Sequence, residues 1–417
     1  MTLKDNPVKK KIVLVSSGQP ALNPRLVKEA DTLAENGYDV TVLYAYWNEW
    51  GTIIDKNLLP SKKWQAIRVG GDPVGKRLVY FFSRLITWIA ALLTRKMGIS
   101  YFSEFAISRN SYFLIRAAKS YQADLYIGHN LGALPAVVKA AKKYNKPCGF
   151  DAEDLHRYES SSNDKDYKVA LKAGIENKYI PHVSYLTASS QQITQAYDRL
   201  FPGKTPVTLL NVFPAGAIRE PVKPNTTGPV KLFWFSQVIG NSRGIEDVVK
   251  ALHMLADKNF ELHLLGYHSG QTTAFIDELN NGIAKIFYHE PVMPGALAEF
   301  AAEFDIGLAM EPGFSINNDF ALSNKIFTYM QAGLAIVASD TTAQSALLSK
   351  YPAIGALYRK GDVGTLAALL SVFNKDRSKL LACREASLAL ATNTLNWENE
   401  SKKFLTLITQ TLDKTER

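Results

Sequence analysis

Asp151, Glu153 and His129 can accept or hold protons, and each stands at the end of a short apolar run that reads as a β-strand. His129-Asn130 follow the run at residues 125–128, and the run at 148–151 continues into Ala152, Glu153 and Asp154. The run at 12–16 is followed by Ser17-Gly18-Gln19, after which Asn23-Pro24-Arg25 opens a helical pattern. In open parallel sheets ligands lie beyond the carboxyl ends of the strands. Gly18, Gln19, Arg25, His129 and Asn130 therefore form a candidate floor for an acceptor, with Asp151, Glu153 and His129 available for acid–base work. Taken singly, each is equally well a helix cap or a solvated loop residue. Their joint placement at successive strand ends is what makes them a site.

The second half of the chain repeats the arrangement with basic groups. Ser242-Arg243-Gly244 opens a helix after the strand-like run at 232–235, and Ser323-Asn324-Lys325 opens another before Tyr329. An arginine and a lysine beside helix N-termini suit a diphosphate, because fixed charge and free backbone N–H groups point the same way.

These positions need strands and crossover helices behind them. Short β-branched runs alternate with helical patterns throughout, the signature of parallel sheets. Strands are expected at 12–16, 40–44, 66–69, 125–128, 148–151, 185–188 and 207–210, and a second series at 232–235, 261–265, 285–288, 306–309 and 335–338. Between the series, residues 214–229 hold four prolines and two glycines, a composition that marks a linker. The expectation is an N-terminal α/β domain over 1–213, a linker over 214–229, a second α/β domain over 230–392 and a C-terminal segment over 393–417. That last segment carries Trp397, Phe404, Leu405, Ile408 and Leu412 on one side of an amphipathic helix.

Several signals lead nowhere. Gly203-Lys204-Thr205 lacks the earlier glycine of a phosphate-binding loop, since Asp198 stands in its place. Asp164-Lys165-Asp166 has the spacing of a metal-binding pair but lies in a polar run. The seven histidines show no paired ligand spacing, so no metal is expected. No glycine-rich dinucleotide fingerprint follows the first strand, and no cofactor is expected.

The 417 residues are 47% hydrophobic, which excludes disorder, and the two cysteines exclude a disulfide scaffold and fit a reducing compartment. The amino-terminal residues lack the apolar stretch of a secretory signal, so a cytoplasmic location is expected. The net charge of +9 falls entirely within residues 1–120, which hold 18 Lys or Arg against 9 Asp or Glu. An anionic partner is expected there. Zinc-finger spacing and basic runs with exposed aromatics are lacking, which argues against nucleic acid and leaves a membrane surface or an anionic lipid-linked substrate. Residues 76–96 are the most hydrophobic stretch, but Arg84 interrupts it and the uninterrupted apolar span is short for a bilayer. Its polar members, Arg77, Ser83, Arg84, Thr87, Thr94 and Arg95, recur as one stripe. An interfacial helix at the inner face of a membrane and a helix packed on the first domain's own core both fit this pattern.

One run is far more specific than the rest. Asn324-Lys-Ile-Phe-Thr-Tyr-Met-Gln-Ala-Gly-Leu-Ala-Ile-Val-Ala-Ser339 resembles the NK-hydrophobic-FEYMAAG-PVIAS block of GT-B-fold glycosyltransferases, the retaining, nucleotide-sugar-dependent kind that build bacterial surface polysaccharides. Other blocks agree in order: NPRLVKEADTLAENGYDVTVL, DLYIGHNLGALPA, FDAEDL, TLLNVFP, Arg243-Gly-Ile-Glu and LHLLG ending at Gly266. The resemblance covers nearly the whole chain. It implies two Rossmann-like domains, with the acceptor on the first, the nucleotide sugar on the second, and a last helix crossing back to the first.

The same resemblance assigns roles. Arg243 matches the basic diphosphate position, and Lys325, with Ser323 and Asn324, lies where phosphate contacts are expected. Gly266 matches the glycine beside the nucleotide, and Glu311 the first of a pair of glutamates, which touches the donor sugar. Thr328 stands where the second glutamate would be, Ser236-Gln237 replace a glycine and a second basic residue, and Glu153 replaces a histidine. The implied activity is metal-independent transfer of a hexose-like sugar from a nucleoside diphosphate sugar, a substrate and not a cofactor, to a hydroxyl acceptor. A nucleotide-sugar epimerase and a non-catalytic nucleotide-sugar-binding module are the alternatives.

Overall fold

The computed structural model describes residues 9–98, 101–215, 227–241, 243–256, 259–282 and 284–416. It divides into two compact units, each built on one parallel sheet. The first unit holds β1 (Lys11–Ser16), β2 (Asp39–Ala45), β3 (Gln65–Val69), β4 (Leu125–His129), β5 (Cys148–Ala152), β6 (Tyr185–Ala188) and β7 (Val207–Thr208), in the order β3-β2-β1-β4-β5-β6-β7. β1, β4 and β5 are buried almost throughout, because helices cover both faces of a parallel sheet. Ile12, Leu14, Val42, Leu125 and Ile127 join the helix residues Leu26, Ala30 and Leu33 in one core.

The second unit holds β8 (Val230–Val238), β9 (Phe260–Tyr267), β10 (Lys285–His289), β11 (Ile306–Ala309), β12 (Ala335–Ser339) and β13 (Gly355–Tyr358), in the order β10-β9-β8-β11-β12-β13. β13 has no counterpart in the sequence reading, since Gly-Ala-Leu-Tyr carries no β-branched residue. Tyr329 and Phe233 meet edge to face beneath this sheet. The close fit depends on Gly307, where an added Cβ would stand 2.2 Å from the Tyr329 ring. The fold is α/β with two Rossmann-like halves, as expected.

Each sheet has one place where the strand order reverses. In the first it lies between β1 and β4, and in the second between β8 and β11. At such a switch point the connections leave in opposite directions, so the loops splay apart and leave a crevice at the carboxyl ends.

The first unit comprises residues 1–209, 315–317 and 401–417, and the second 210–314 and 318–400. The final helix, Trp397–Glu416, is thus shared between them. Phe404, Ile408 and Leu412, at four-residue spacing, lie in the core of the first unit with β1 and β2. Most of the proline-rich segment, residues 216–226, lies outside the described residues. Helix Arg77–Met97 is long and apolar enough to cross a membrane by length and composition.

Candidate functional site

At the switch point of the first unit, helix Pro24–Glu35 faces the ends of β4 and β5. Asn23 caps it by accepting from Leu26 N, and Pro24 sits at its first position, where a missing N–H costs nothing. Arg25 and Glu29, one turn apart, point inward together. The Arg25 guanidinium grips Asp151 with Nε and Nη2 at 2.5 and 2.7 Å and donates through Nη1 to the carbonyl of Leu209. Thr187 Oγ1 donates to Asp151 Oδ1 at 2.6 Å. His129 lies between the carboxylates, with Nε2 3.1 Å from Glu29 Oε2 and Nδ1 3.4 Å from Asp151 Oδ2.

All four groups are buried, so their charges must balance. Burial opposes the imidazolium, but Glu29 and Asp151 outweigh it and hold His129 at about 10. Burial likewise works against the Asp151 carboxylate, and Arg25 and His129 hold it well below the usual range. Glu29 moves the other way, since burial raises it more than His129 lowers it.

This arrangement corrects part of the sequence reading. Arg25, His129 and Asp151 are wholly buried and cannot touch an acceptor; they form the charged platform beneath the strand ends. Gln19 is corrected as well. Its Oε1 accepts from Trp47 N and Asn48 N, and its Nε2 donates to Thr52 Oγ1 and Asp55 Oδ2, so it clamps the loop after β2. Glu29 had no place in the sequence reading, although its four-residue spacing from Arg25 was a usable signal.

Gly18 and Asn130 keep their place at the mouth. Both are half-buried, Ser16 Oγ donates to Asn130 Oδ1 at 3.1 Å, and Gly18 N donates to Ser16 Oγ at 3.2 Å. Glu153 is half-buried one step beyond the platform, and its carboxyl makes no hydrogen bond or ion pair among the described residues. Burial first, then the nearby Asp151 carboxylate, push it up to about 7. A carboxyl with that value changes charge near neutrality, as a general base requires. Activity that depends on ionised Glu153 should rise with pH through a midpoint near 7. A pH–rate profile of Glu153→Gln should lack that limb, and an unchanged profile would remove Glu153 from the chemistry. Stability carries the opposite sign. The folded carboxyl is raised above its unfolded value, so wild type loses stability relative to Glu153→Gln as pH rises from about 4.5 through about 7.

Among the described residues, two groups of side chains lie close enough together to hold a cation: Glu29, His129 and Asp151, and Asp154, His156 and Glu159. Arg25 already supplies positive charge to the first. In the second, His156 Nδ1 pairs with Glu159, and Lys172 pairs with the same carboxylate. Asp164 and Asp166, the discarded metal pair, accept from Tyr158 Oη and Lys168 N.

In the second unit the switch point lies between Arg243, after β8, and Glu311, after β11. Helix Ile245–Leu255 starts after Gly244, and helix Asn324–Gln331 after Ser323. Neither has a side-chain cap hydrogen bond from the residue before it, and the first turn of the former carries Glu246 and Asp247, while that of the latter carries no acidic residue. Gly244, at φ 81°, lies against Met310, where a Cβ would come within 2.6 Å of its side chain, so the two loops abut. Arg243 is exposed, and its side chain makes no hydrogen bond or ion pair among the described residues. Ser242 lies outside the described residues.

Lys325 is half-buried, with Nζ 5.7 Å from the Trp234 ring centroid and 2.7 Å from Glu311 Oε1. Ser323 Oγ donates to the same oxygen at 2.8 Å, and Asn318 Nδ2 to Oε2 at 3.3 Å. These partners outweigh burial and lower the Glu311 pKa. Lys325 and Glu311 are thus an ion pair, where the resemblance gave Lys325 to the phosphates and Glu311 to the donor sugar. Asn324 is exposed at the helix start, and Gly266 closes β9 at φ 152°, where a Cβ would stand 2.4 Å from the Ser236 carbonyl oxygen. Thr328 is corrected: it is buried, and its Oγ1 donates back to Asn324 O.

No protein-family model matches the chain, and no curated protein matches it. Solved structures do. Sucrose-phosphate synthase from Thermosynechococcus elongatus is 14% identical, with a TM-score of 0.71 over 97% of this chain and 100% of that one. Anabaena HepE in complex with UDP is 13% identical, with a TM-score of 0.65 over 96% of this chain and 100% of that one. The lipopolysaccharide outer core galactosyltransferase WaaB is 13% identical, with a TM-score of 0.61 over 96% of this chain and 99% of that one. At these identities the likeness establishes the fold, and the fold is that of GT-B glycosyltransferases.

Proposed function

We propose that the chain transfers a hexose-like sugar from a nucleoside diphosphate sugar to a hydroxyl acceptor. The observation that carries this reading is the exposed Arg243 just before helix Ile245–Leu255 at the β8/β11 switch point, together with the helix start at Ser323, which has no side-chain cap, in the same unit. A guanidinium without a partner among the described residues and a helix start without a side-chain cap are what a diphosphate needs. HepE, of the same fold, binds UDP, which supports the nucleotide.

A leaving diphosphate gains charge as the glycosidic bond breaks, and fixed donors aimed at its oxygens stabilise that change without a metal. Lys325 holds Glu311 in place toward the donor sugar. On the first unit Glu153 serves the acceptor hydroxyl, oriented by the buried platform under it. A pocket of about 620 Å³ lined by Tyr44, Thr52, Asp55, Lys56 and Arg68 offers further partners to a hydroxyl-rich acceptor. Retention of configuration, cytoplasmic location and a place in surface polysaccharide or glycolipid synthesis complete the proposal.

Incubation with a panel of nucleoside diphosphate sugars and hydroxyl acceptors should release nucleoside diphosphate only when an acceptor is present. Conversion of the donor without any acceptor would mean epimerisation. Tight donor binding with no turnover would mean a non-catalytic module, the reading that the buried Thr328 in place of a carboxylate favours.

A further inference from the structure

Helix Arg77–Met97 is amphipathic in the reverse of the usual sense. Ser83, Ala90 and Thr94 are its buried residues, and Thr87 lies on the same stripe with a buried Oγ1. The spacing of four, three and four residues puts them on one face. That face is anchored: Thr94 Oγ1 lies 2.5 Å from Tyr167 Oη, which also donates to Ala91 O at 3.3 Å. The bulky residues point away from it. Leu78 is 87% exposed, Trp88 65% and Phe82 54%, and Leu85, Ile89 and Leu92 are exposed beside them. Of the two readings that the sequence left open, packing of the apolar face on the core does not hold; the small members of the polar stripe let the helix approach the domain.

The charge around this face has one sign. From Pro73 to Ser103 the chain carries Lys76, Arg77, Arg84, Arg95 and Lys96 and no acidic residue, and all five cations are exposed. A contiguous apolar face that water must cover is unfavourable unless something apolar covers it. A rim of cations alone selects an anionic cover, and a second copy of the same face would bring like charges together. We infer that this face lies in the surface of an anionic lipid bilayer, with the helix in the plane of the membrane. The anchored stripe and Arg84 at mid-helix keep it from spanning.

The helix also joins the acceptor side. Tyr80 packs edge on against Tyr46 just past β2, and a Cβ on Gly71, just past β3, would strike the Tyr80 backbone nitrogen at 2.2 Å. Arg68, from the pocket beside β2 and β3, donates to Asp72 Oδ2, and Asp72 accepts from Val74 N on the way into the helix. The carboxyl ends of β2 and β3 are therefore held beside the lipid face. The acceptor class this implies, which rests on the transferase reading, is a lipid-anchored molecule whose hydroxyl stands at headgroup level.

Vesicle co-sedimentation of the full chain tests the surface without any sugar chemistry. Vesicles with a phosphatidylglycerol fraction should retain the protein about tenfold or more better than pure phosphatidylcholine at low salt, and added salt should reduce the difference. Phe82→Ser with Leu85→Ser should abolish retention with an unchanged melting curve, since both side chains are exposed. Bromolipid quenching should fall on Trp88 and vanish in Trp88→Phe, which should still bind. Equal retention by neutral vesicles, quenching strongest at the bilayer centre, or no retention with self-association that the serine pair abolishes would each overturn the inference. If vesicles bind but no sugar is transferred, the transferase reading fails and the lipid surface stands.

Discussion

Arg243→Ala should lower the transfer rate by roughly 10²- to 10³-fold, the loss typical of one donor removed from a developing anion. Its folding stability should move by no more than about 0.5 kcal/mol, because an exposed side chain without partners leaves nothing unpaired when removed. Steady-state rates with a donor sugar, set beside a denaturant melt of the same preparation, check both halves. Lys325→Ala is the poorer test. It strips Glu311 of its ion pair and Trp234 of its cation, so a lost rate there would mix chemistry with local disorder. A variant at Arg243 that keeps the wild-type rate would remove the diphosphate from this crevice.

Asp151→Ala should cost about 3–5 kcal/mol of stability at neutral pH, the usual price of leaving a buried ion without its partner. Of their ion-paired carboxylates, Arg25 and His129 would then keep only Glu29, in a space closed to water. The pH dependence identifies the cause. His129 is held at about 10, above its unfolded value near 6.5, so its contribution is fully present below about 6.5 and fades as pH rises through about 10. Asp151 is depressed, so its contribution is present above about 3.9 and fades as pH falls. Wild type should therefore lose stability at both ends, and Asp151→Ala should show a flatter profile in denaturant melts taken across pH. A loss below about 1 kcal/mol would mean that the platform is not the charged network described.

Much of the fold was legible because parallel strands write themselves as β-branched runs: Lys11–Ser16, Asp39–Ala45 and Ile306–Ala309 all lie where the pattern put them. Gly355–Tyr358 escaped because its place in the sheet comes from pairing with β12, which local composition does not reveal. The strand ends were legible too, but the direction of a side chain there was not. Arg25 and Asp151 are 126 residues apart in sequence, and only the fold shows that each is the other's partner. Gln19 looked like a binding residue because glutamine at a strand end is exposed in the absence of a loop to clamp. For helix Arg77–Met97 the sequence left two readings open, for a different reason. Periodicity separates two faces of a helix, and which one is turned inward depends on how closely the domain lets it approach.

The most direct test of the central claim is calorimetric titration of nucleoside diphosphates into wild type and Arg243→Ala. Wild type should bind at least one nucleoside diphosphate saturably, which stabilises the fold by about 2.7 kcal/mol at 100 times the dissociation constant, and the variant should bind it at least tenfold more weakly. Equal affinity in the two proteins, or no binding of any nucleoside diphosphate to wild type, would contradict it.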